Sequence, residues 1–526
     1  MNAGVVRKYL VVHTWTGILS SILLFVAFYA GALSMFEPEI SQWVNVTAQS
    51  PSGKPDIDAL AQAFFEDAAK PPKAAEMTLP TPFDSAVIRF KNAQGNQIAY
   101  LDEAGKLAQE PDMGFSTGDF VDYVHRKGGL PLSLEMAEPI IGIVALLYGI
   151  ALVSGVIVLL PSLVKDLFYV RISRNLKRMW LDLHNVVGIT SLPFHVVMAI
   201  SAAVFCLHDY VYDAQSAAIY PQGIDGVLAE VRAEMPQALP STQKDWLPPT
   251  QLIARAQAHA PGFMPTFMRY RDVADGAATV QLAGTDDAYF ARSSRVGYLT
   301  LEPATGRILD ATYMLGPEST WGSVLASFFS LHFGSYGGVP VRILYALLGV
   351  MGAFLFYSGN LLWIASRLKK SGQATAPFSE QPRNVRWLGA LTIGACLGCV
   401  AGLSAALVAV RWLASSGIAP ESIAYGAYYA VFFACLVFAF VRGASRVSAP
   451  LLAFAGLCTL SIPLTSLLAL FSSLAPTTGQ YLSAMIFIDG FSLVGAMLMF
   501  YLAWRTRSRP GRTNSGIFAS LFHRSI

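Results

Sequence analysis

Charge is what this sequence has least of: Lys, Arg, Asp and Glu make up 13% of 526 residues, against 54% hydrophobic ones. With a mean hydropathy of +0.47, such a chain is not a soluble globular protein. It has the composition of a multi-span membrane protein with room for modest soluble domains. No basic block is present to bind nucleic acid. The five cysteines, Cys206, Cys396, Cys399, Cys435 and Cys458, lie in or beside apolar runs and make no disulfide framework. Cys396 and Cys399 have CxxC spacing, but Val400 follows where a c-type haem attachment needs histidine, so helix packing is their expected role. No GxGxxG follows a strand-like run, so the nicotinamide and flavin fingerprint is missing. No HExxH, HxxH or carboxylate cluster accompanies the histidines, so zinc hydrolysis lacks its base and its ligands. No cleavable signal peptide is expected, because the apolar run after Arg7 and Lys8 is too long and ends in FEPEI.

What is present is long apolar runs. Eight are long enough to cross a core of ~30 Å, at roughly 9–36, 139–160, 179–207, 340–366, 386–411, 422–441, 449–474 and 481–504. Basic residues gather at alternate connections: Arg7 and Lys8; Lys165, Arg171, Arg174, Lys177 and Arg178; Arg367, Lys369, Lys370, Arg383 and Arg386; Arg442 and Arg446; Arg505, Arg507, Arg509 and Arg512. The positive-inside rule then places both termini in the cytoplasm, with Trp180, Trp363, Trp387 and Trp504 at cytoplasmic boundaries.

Two long connections are expected outside, at 37–138 and 208–339. The first reads as a helix near 56–69, strands near Ser85–Lys91 and Gln97–Leu101, and the turn DEAGK. The second repeats that order: a helix near 250–260, strands at Phe267–Arg271, Ala278–Ala283 and Gly297–Leu301, and the turn EPATGRI. This predicts two small α+β domains on an otherwise all-α membrane protein. Residues 367–385 are a linker, 386–504 a four-helix extension, and 505–526 a tail.

The order span, outside domain, span thus occurs twice, and histidines mark it. His13 and His184 lie near the cytoplasmic ends of the first spans, each followed by glycine in HxxxG (Gly17, Gly188). His125 and His332 each close an outside domain. His13 lies five residues past Lys8 and His184 six past Arg178, which puts both ~8–9 Å inside the boundary. His195 follows His184 by eleven residues, about three helical turns and roughly 16 Å, so both imidazoles leave nearly the same face. Intramembrane imidazole is costly and needs partners. Two layers result, His13 with His184 inside and His195, His125 and His332 outside, as a pair of haems across a membrane requires. His13 and His184 are the natural axial pair; the outer pair stays open among the other three. Structural hydrogen bonding of all five is the plainer alternative. His208, His259 and His523 read as solvated, and Asp489, an acid inside a span, as a candidate for function.

HTWTGIL, LDLHNVVGITSLPFH and LHFGSYGG, with SGVIVLLP and SGNLLWIASR after them, resemble the PepSY-associated transmembrane family over residues 1–370. The two outside domains resemble PepSY modules, EPATGRI closely and DEAGK less so. Ala202 and Ala203 stand where related third spans carry a threonine or serine followed by glycine. The resemblance to FoxB-type inner-membrane ferric-siderophore reductases implies about two b-type haems, held by His13, His184, His195, His125 and His332. It also implies electron transfer from quinol or a cytoplasmic reductase to ferric siderophores or other ferric chelates in the periplasm. Trp246, Arg269, Tyr270 and Arg271 are of kinds that stack on or pair with an anionic chelate, although ordinary core and surface roles in a small domain are the favoured account of them. A haem-free siderophore or metal permease is the alternative, and a peptidase-modulating role a third.

Overall fold

The computed structural model describes residues 2–44, 56–67, 72–80, 86–112, 117–163, 176–220, 222–223, 226, 229–230, 238–275, 277–289, 296–316, 319–370, 380–413, 416–469, 471 and 479–507. Lys165, Arg171, Arg174, Arg509, Arg512 and His523 fall outside them. The chain divides into a helical unit (Met1–Thr47, Phe115–His208 and Arg342–Ile526) and a unit of Ala48–Gly114 and Asp209–Val341.

Eight helices among the described residues are long and apolar enough to cross a membrane, and the protein is a multi-pass membrane protein. Its helices are α1 (Ala3–Ser34), α2 (Glu37–Val44), α3 (Ile57–Asp67), α4 (Thr117–Arg126), α5 (Leu134–Leu159), α6 (Leu176–Thr190) and α7 (Leu192–Ile219). There follow α8 (Pro249–His259), α9 (Thr320–Phe333), α10 (Gly338–Lys370), α11 (Arg383–Leu413), α12 (Pro420–Arg442), α13 (Ala444–Ala469) and α14 (Gly479–Arg507).

The expected third span is two helices, α6 and α7, separated at Ser191. Pro193 has no N–H to offer the carbonyl of Ile189, one turn back, so one rung of the ladder is missing there. The rise continues across the gap, because Ser191 N–H reaches Val187 O and His195 N–H reaches Ser191 O, each at 3.1 Å. Short α2 and α4, placed by the sequence reading in the first outside domain, belong to the helical unit. They are amphipathic, and Ile40, Trp43, Phe120, Val121 and Val124 bury their apolar faces in one core with Cys399, Leu403 and Tyr428.

Small residues set the closest helix approach. Gly394, Gly398 and Gly402 recur at one-turn spacing on α11, and a Cβ on them would fall 2.9–3.0 Å from α12 backbone at Leu436, Phe432 and Tyr428. Such a ridge lets two backbones pack closely where lipid offers no hydrophobic drive. The sequence reading missed this spacing. Cys396, Cys399 and Cys435 are buried in the same region, and all five cysteines are unpaired.

Among the described residues the second unit holds eight strands: β1 (Ala74–Thr78), β2 (Val87–Asn92), β3 (Gly95–Leu101), β4 (Leu107–Pro111), β5 (Met264–Arg271), β6 (Thr279–Thr285), β7 (Gly297–Leu301) and β8 (Ile308–Asp310). They form one antiparallel sheet in the order β4-β3-β2-β1-β5-β6-β7-β8. The two long connections therefore share a single sheet rather than making two separate ones. The join is β1 on β5, with Met77 opposite Met268 and Glu76 opposite Arg269. That central pair carries an ion pair, Arg269 Nη2 to Glu76 Oε2 at 2.6 Å. Strand alternation puts Met77, Ile88, Ala99, Met268, Tyr270, Val280, Leu282 and Leu299 on one face, where Leu60 of α3 and Leu252 of α8 complete the core. Asp58 of α3 accepts hydrogen bonds from the Thr250 N–H and hydroxyl at the start of α8.

The two turns named in the sequence close in the same way, the second being one residue longer. Gly105 N–H donates to Asp102 O and Asp102 N–H to Lys106 O, while Gly306 N–H donates to Glu302 O and Glu302 N–H to Arg307 O. Both glycines are left-handed, at φ 78° and 69°, where a side chain is strained. The internal repeat extends to this detail.

Candidate functional site

Four of the five singled-out histidines sit in the helical unit, and every one is tied down at Nδ1. His13 Nδ1 lies 2.8 Å from Ala151 O, and His125 Nδ1 lies 2.7 Å from Ala27 O. A carbonyl only accepts, so in both rings Nδ1–H donates and Nε2 keeps its lone pair. His184 Nδ1 is 2.9 Å from Ser358 Oγ, whose own proton goes to Leu355 O, so His184 also donates from Nδ1. His195 Nδ1 meets the Tyr148 hydroxyl at 2.6 Å. Fixing one ring nitrogen so that the other can bind a metal is the usual support of a ligating imidazole.

The repeat now acquires a spatial meaning. A Cβ on Gly155 of α5 would fall 2.9 Å from His13, and one on Gly359 of α10 would fall 3.6 Å from His184. Each unit's first-span histidine thus packs on the glycine of SG in its second span. Ala151 and Leu355 both lie three residues before that serine. In the first unit the histidine takes the carbonyl directly, and in the second the Ser358 hydroxyl stands between.

The His13 and His184 rings meet edge to face with centroids 6.5 Å apart. Two imidazoles on opposite sides of one metal ion, each with a nitrogen–metal bond of ~2.0–2.1 Å, have centroids about 6.3 Å apart. The ring separation is therefore that of a two-ligand iron centre. Gly17 and Gly188, one turn after these histidines, are not required by packing. Among the described residues a Cβ on Gly17 would meet no atom within 4 Å, and one on Gly188 would meet only Leu355 Cδ2 at 3.8 Å.

The second layer lies further along α10. Gly352 would place a Cβ 3.0 Å from His195 Cε1, seven residues before Gly359, or ~10 Å along the axis and two turns on the same face. The expected common face of His184 and His195 is thus provided by the partner helix, although two helices carry the histidines. His195 is fully buried, and among the described residues its Nε2 has no hydrogen-bond partner. A buried polar atom left so costs about 1–3 kcal/mol. His125 bonds Ala27 while Phe28, the next residue, packs on His195 with ring centroids 5.5 Å apart, so both rings stand at one level of α1. Phe28 also packs on Tyr148, Phe194 and Phe356, which makes the surroundings apolar.

His332 belongs to the other unit, near the end of α9, with its ring against Phe333. His208 is exposed and donates to Phe205 O, and His259 is exposed at the end of α8. Tyr270 is core, stacked on Trp246 at 5.7 Å, and Arg269 is held by Glu76, so these three are engaged within their own fold. Arg271 is exposed beside Gln281.

The fold and these matched imidazoles define a duplicated multi-pass membrane protein with histidines built into its helix contacts. The chain belongs to the PepSY-associated TM region family, whose sequence model matches residues 10–366. It is also similar to the Uncharacterized protein PA4219 of Pseudomonas aeruginosa, 26% identical over 261 residues that cover 47% of this chain and 61% of that protein. The chain thus spans less than two thirds of that relative's length.

Proposed function

We propose that this protein carries electrons across the bacterial inner membrane through two b-type haems and reduces ferric siderophores or other ferric chelates on the periplasmic side. The carrying observation is the His13–His184 pair, 6.5 Å apart with both Nδ1 atoms already donating. His13 and His184 would hold the inner haem; His195 would hold the outer one with His125. Such a haem supplies a six-coordinate iron that passes single electrons. The chain's part is to hold and insulate. Ala151 and Ser358 fix two rings, Tyr148 fixes a third, and Phe28, Phe194 and Phe356 keep water from the space between layers. The distribution of Lys and Arg supports cytoplasmic termini and an outward-facing sheet unit. Likeness to FoxB-type reductases in the histidine motifs supports the choice of substrate.

An absorption spectrum of the purified full-length protein, oxidised and reduced by dithionite, tests the reading together with a pyridine haemochrome assay. Sharp reduced α-bands and two haems per chain are expected. A haem-free protein after expression with ample haem would defeat it and leave the permease reading.

Gly17→Leu gives a separate expectation. Leucine improves helix propensity by up to about 1 kcal/mol and meets no protein atom at its Cβ. Thermal unfolding should hold or rise while the haem-to-protein ratio falls. Unchanged haem content would show that nothing planar approaches α1 there.

A further inference from the structure

Four residues distant in sequence meet in the helical unit away from the histidines: Trp43 of α2, Arg411 of α11, Ser466 of α13 and Asp489 of α14. Trp43 joins them. Its indole N–H reaches Asp489 Oδ1 at 3.0 Å and Ser466 Oγ at 2.9 Å, and its carbonyl accepts from Arg411 Nη1 at 2.8 Å. The Ser466 hydroxyl also donates to Asp489 Oδ1, at 2.9 Å, and the guanidinium carbon lies 4.5 Å over the indole ring.

Arg411 is 3% exposed, yet among the described residues its buried Nε and Nη2 have no hydrogen-bond partner. In a planar guanidinium these two N–H groups lie side by side on one edge and point the same way. A charged donor edge left unsatisfied in an apolar bundle is costly, and such residues mark ligand or ion sites. Among the described residues Asp489 does not fill that edge, since its recorded bonds go to Trp43 and Ser466. Arg411 and Asp489 nevertheless cancel in formal charge. An anionic ligand would leave net negative charge in the bundle, and a cation would find no use for the free donors. A neutral head with an acceptor oxygen for Arg411 and a weakly acidic hydroxyl for Asp489 satisfies both.

We propose that Arg411, Asp489, Trp43 and Ser466 bind the head of a lipid-soluble quinol. Its ring oxygen accepts from the Nε and Nη2 edge, and its hydroxyl donates to the Asp489 carboxylate. The tail stays among the apolar helices. Trp43 shares a core with Val124, the residue before His125, so the site adjoins the elements that carry the outer histidine layer. The purpose, supply of electrons to the conduit, rests on the proposed function; the binding geometry does not. Three of the four residues lie beyond residue 366, where the family match ends, which gives the last four spans a role.

The test is photolabelling of the full-length protein in phosphatidylcholine nanodiscs with an azido-ubiquinol, followed by peptide mapping. Label is expected on peptides containing Trp43, Arg411 or Asp489, displaced by decylubiquinol and not by phosphatidylglycerol. Arg411→Gln and the isosteric Asp489→Asn should each weaken it roughly tenfold or more, the worth of one charge-assisted hydrogen bond. Thermal unfolding of both variants checks that they fold, and Trp43→Phe, which keeps the packing and loses the indole N–H, serves if either does not. Label elsewhere, label unchanged in the folded variants, or displacement by phosphatidylglycerol would overturn the site. Labelling needs no haem, so a haem-free protein that still labels would refute the conduit and leave the quinol site standing.

Discussion

Replacing His184 by alanine is expected to halve the haem content, from about two to about one per chain, and to remove one set of reduced α-bands. The reason is local. His184 is held by Ser358 on α10 and faces His13 at 6.5 Å. Among the described residues no group of three or more His, Cys, Asp or Glu gathers that could hold a metal. His13 alone would be left with one imidazole for an iron that needs two. Ser358→Ala is the milder companion. It leaves the ring in place with no acceptor at Nδ1, and loss of such support weakens metal binding by ~10–100-fold. A pyridine haemochrome assay on both variants, beside Ser154→Ala, reads the outcome. Ser154 donates to the Ile150 and Ala151 carbonyls, and its loss leaves the Ala151 carbonyl to His13 alone, so its variant should keep both haems. An unchanged spectrum in the His184 variant would refute the pairing.

The second large effect lies in the sheet unit. Glu302 opens the β7–β8 turn, is 1% exposed, and accepts from Leu239 N–H at 2.7 Å, from the Thr305 hydroxyl and from Arg307 Nη2 at 3.2 Å. Glu302→Ala takes the acceptor from the Leu239 N–H and removes charge-assisted hydrogen bonds, at a cost of ~1.5–3 kcal/mol. Burial alone would raise its pKa, but the bonds from Thr305, Leu239 and Arg307 outweigh burial and hold it below the ordinary 4.5. A lowered folded pKa means stability that is present above the unfolded value and lost as pH falls through the folded one. Thermal melts of the whole protein should therefore show the sheet unit losing stability below about pH 4.5, with the Glu302→Gln variant flatter over that range. Equal slopes in the two proteins would show that Glu302 carries no such linkage.

The sequence was most legible where chemistry and period coincide. Eight apolar runs announce eight spans because a bilayer core demands a fixed length of apolar helix. Helices α3 and α8 and strands β2, β3, β5, β6 and β7 were visible through alternation. Strands β1, β4 and β8 were not, being three to five residues long with weak alternation, as in AAEMT and LAQEP. Their presence is decided by pairing with neighbours, since a strand has no internal hydrogen bonds to signal itself. The β1–β5 join that turns two domains into one sheet is likewise a contact between segments nearly two hundred residues apart in sequence.

By itself, the sequence determined that this is a membrane protein of duplicated design with histidines in matched places, since composition and periodicity are local properties. Tertiary structure decided which atoms those histidines meet: Gly155 against His13, Gly359 and Ser358 against His184, Tyr148 and Gly352 against His195. It also gathered Trp43, Arg411, Ser466 and Asp489 from four helices. The physical reason is that a helix satisfies its backbone internally and so fixes its own course. Which side chains face one another is settled only when close-packed glycines and short polar groups choose the register between helices.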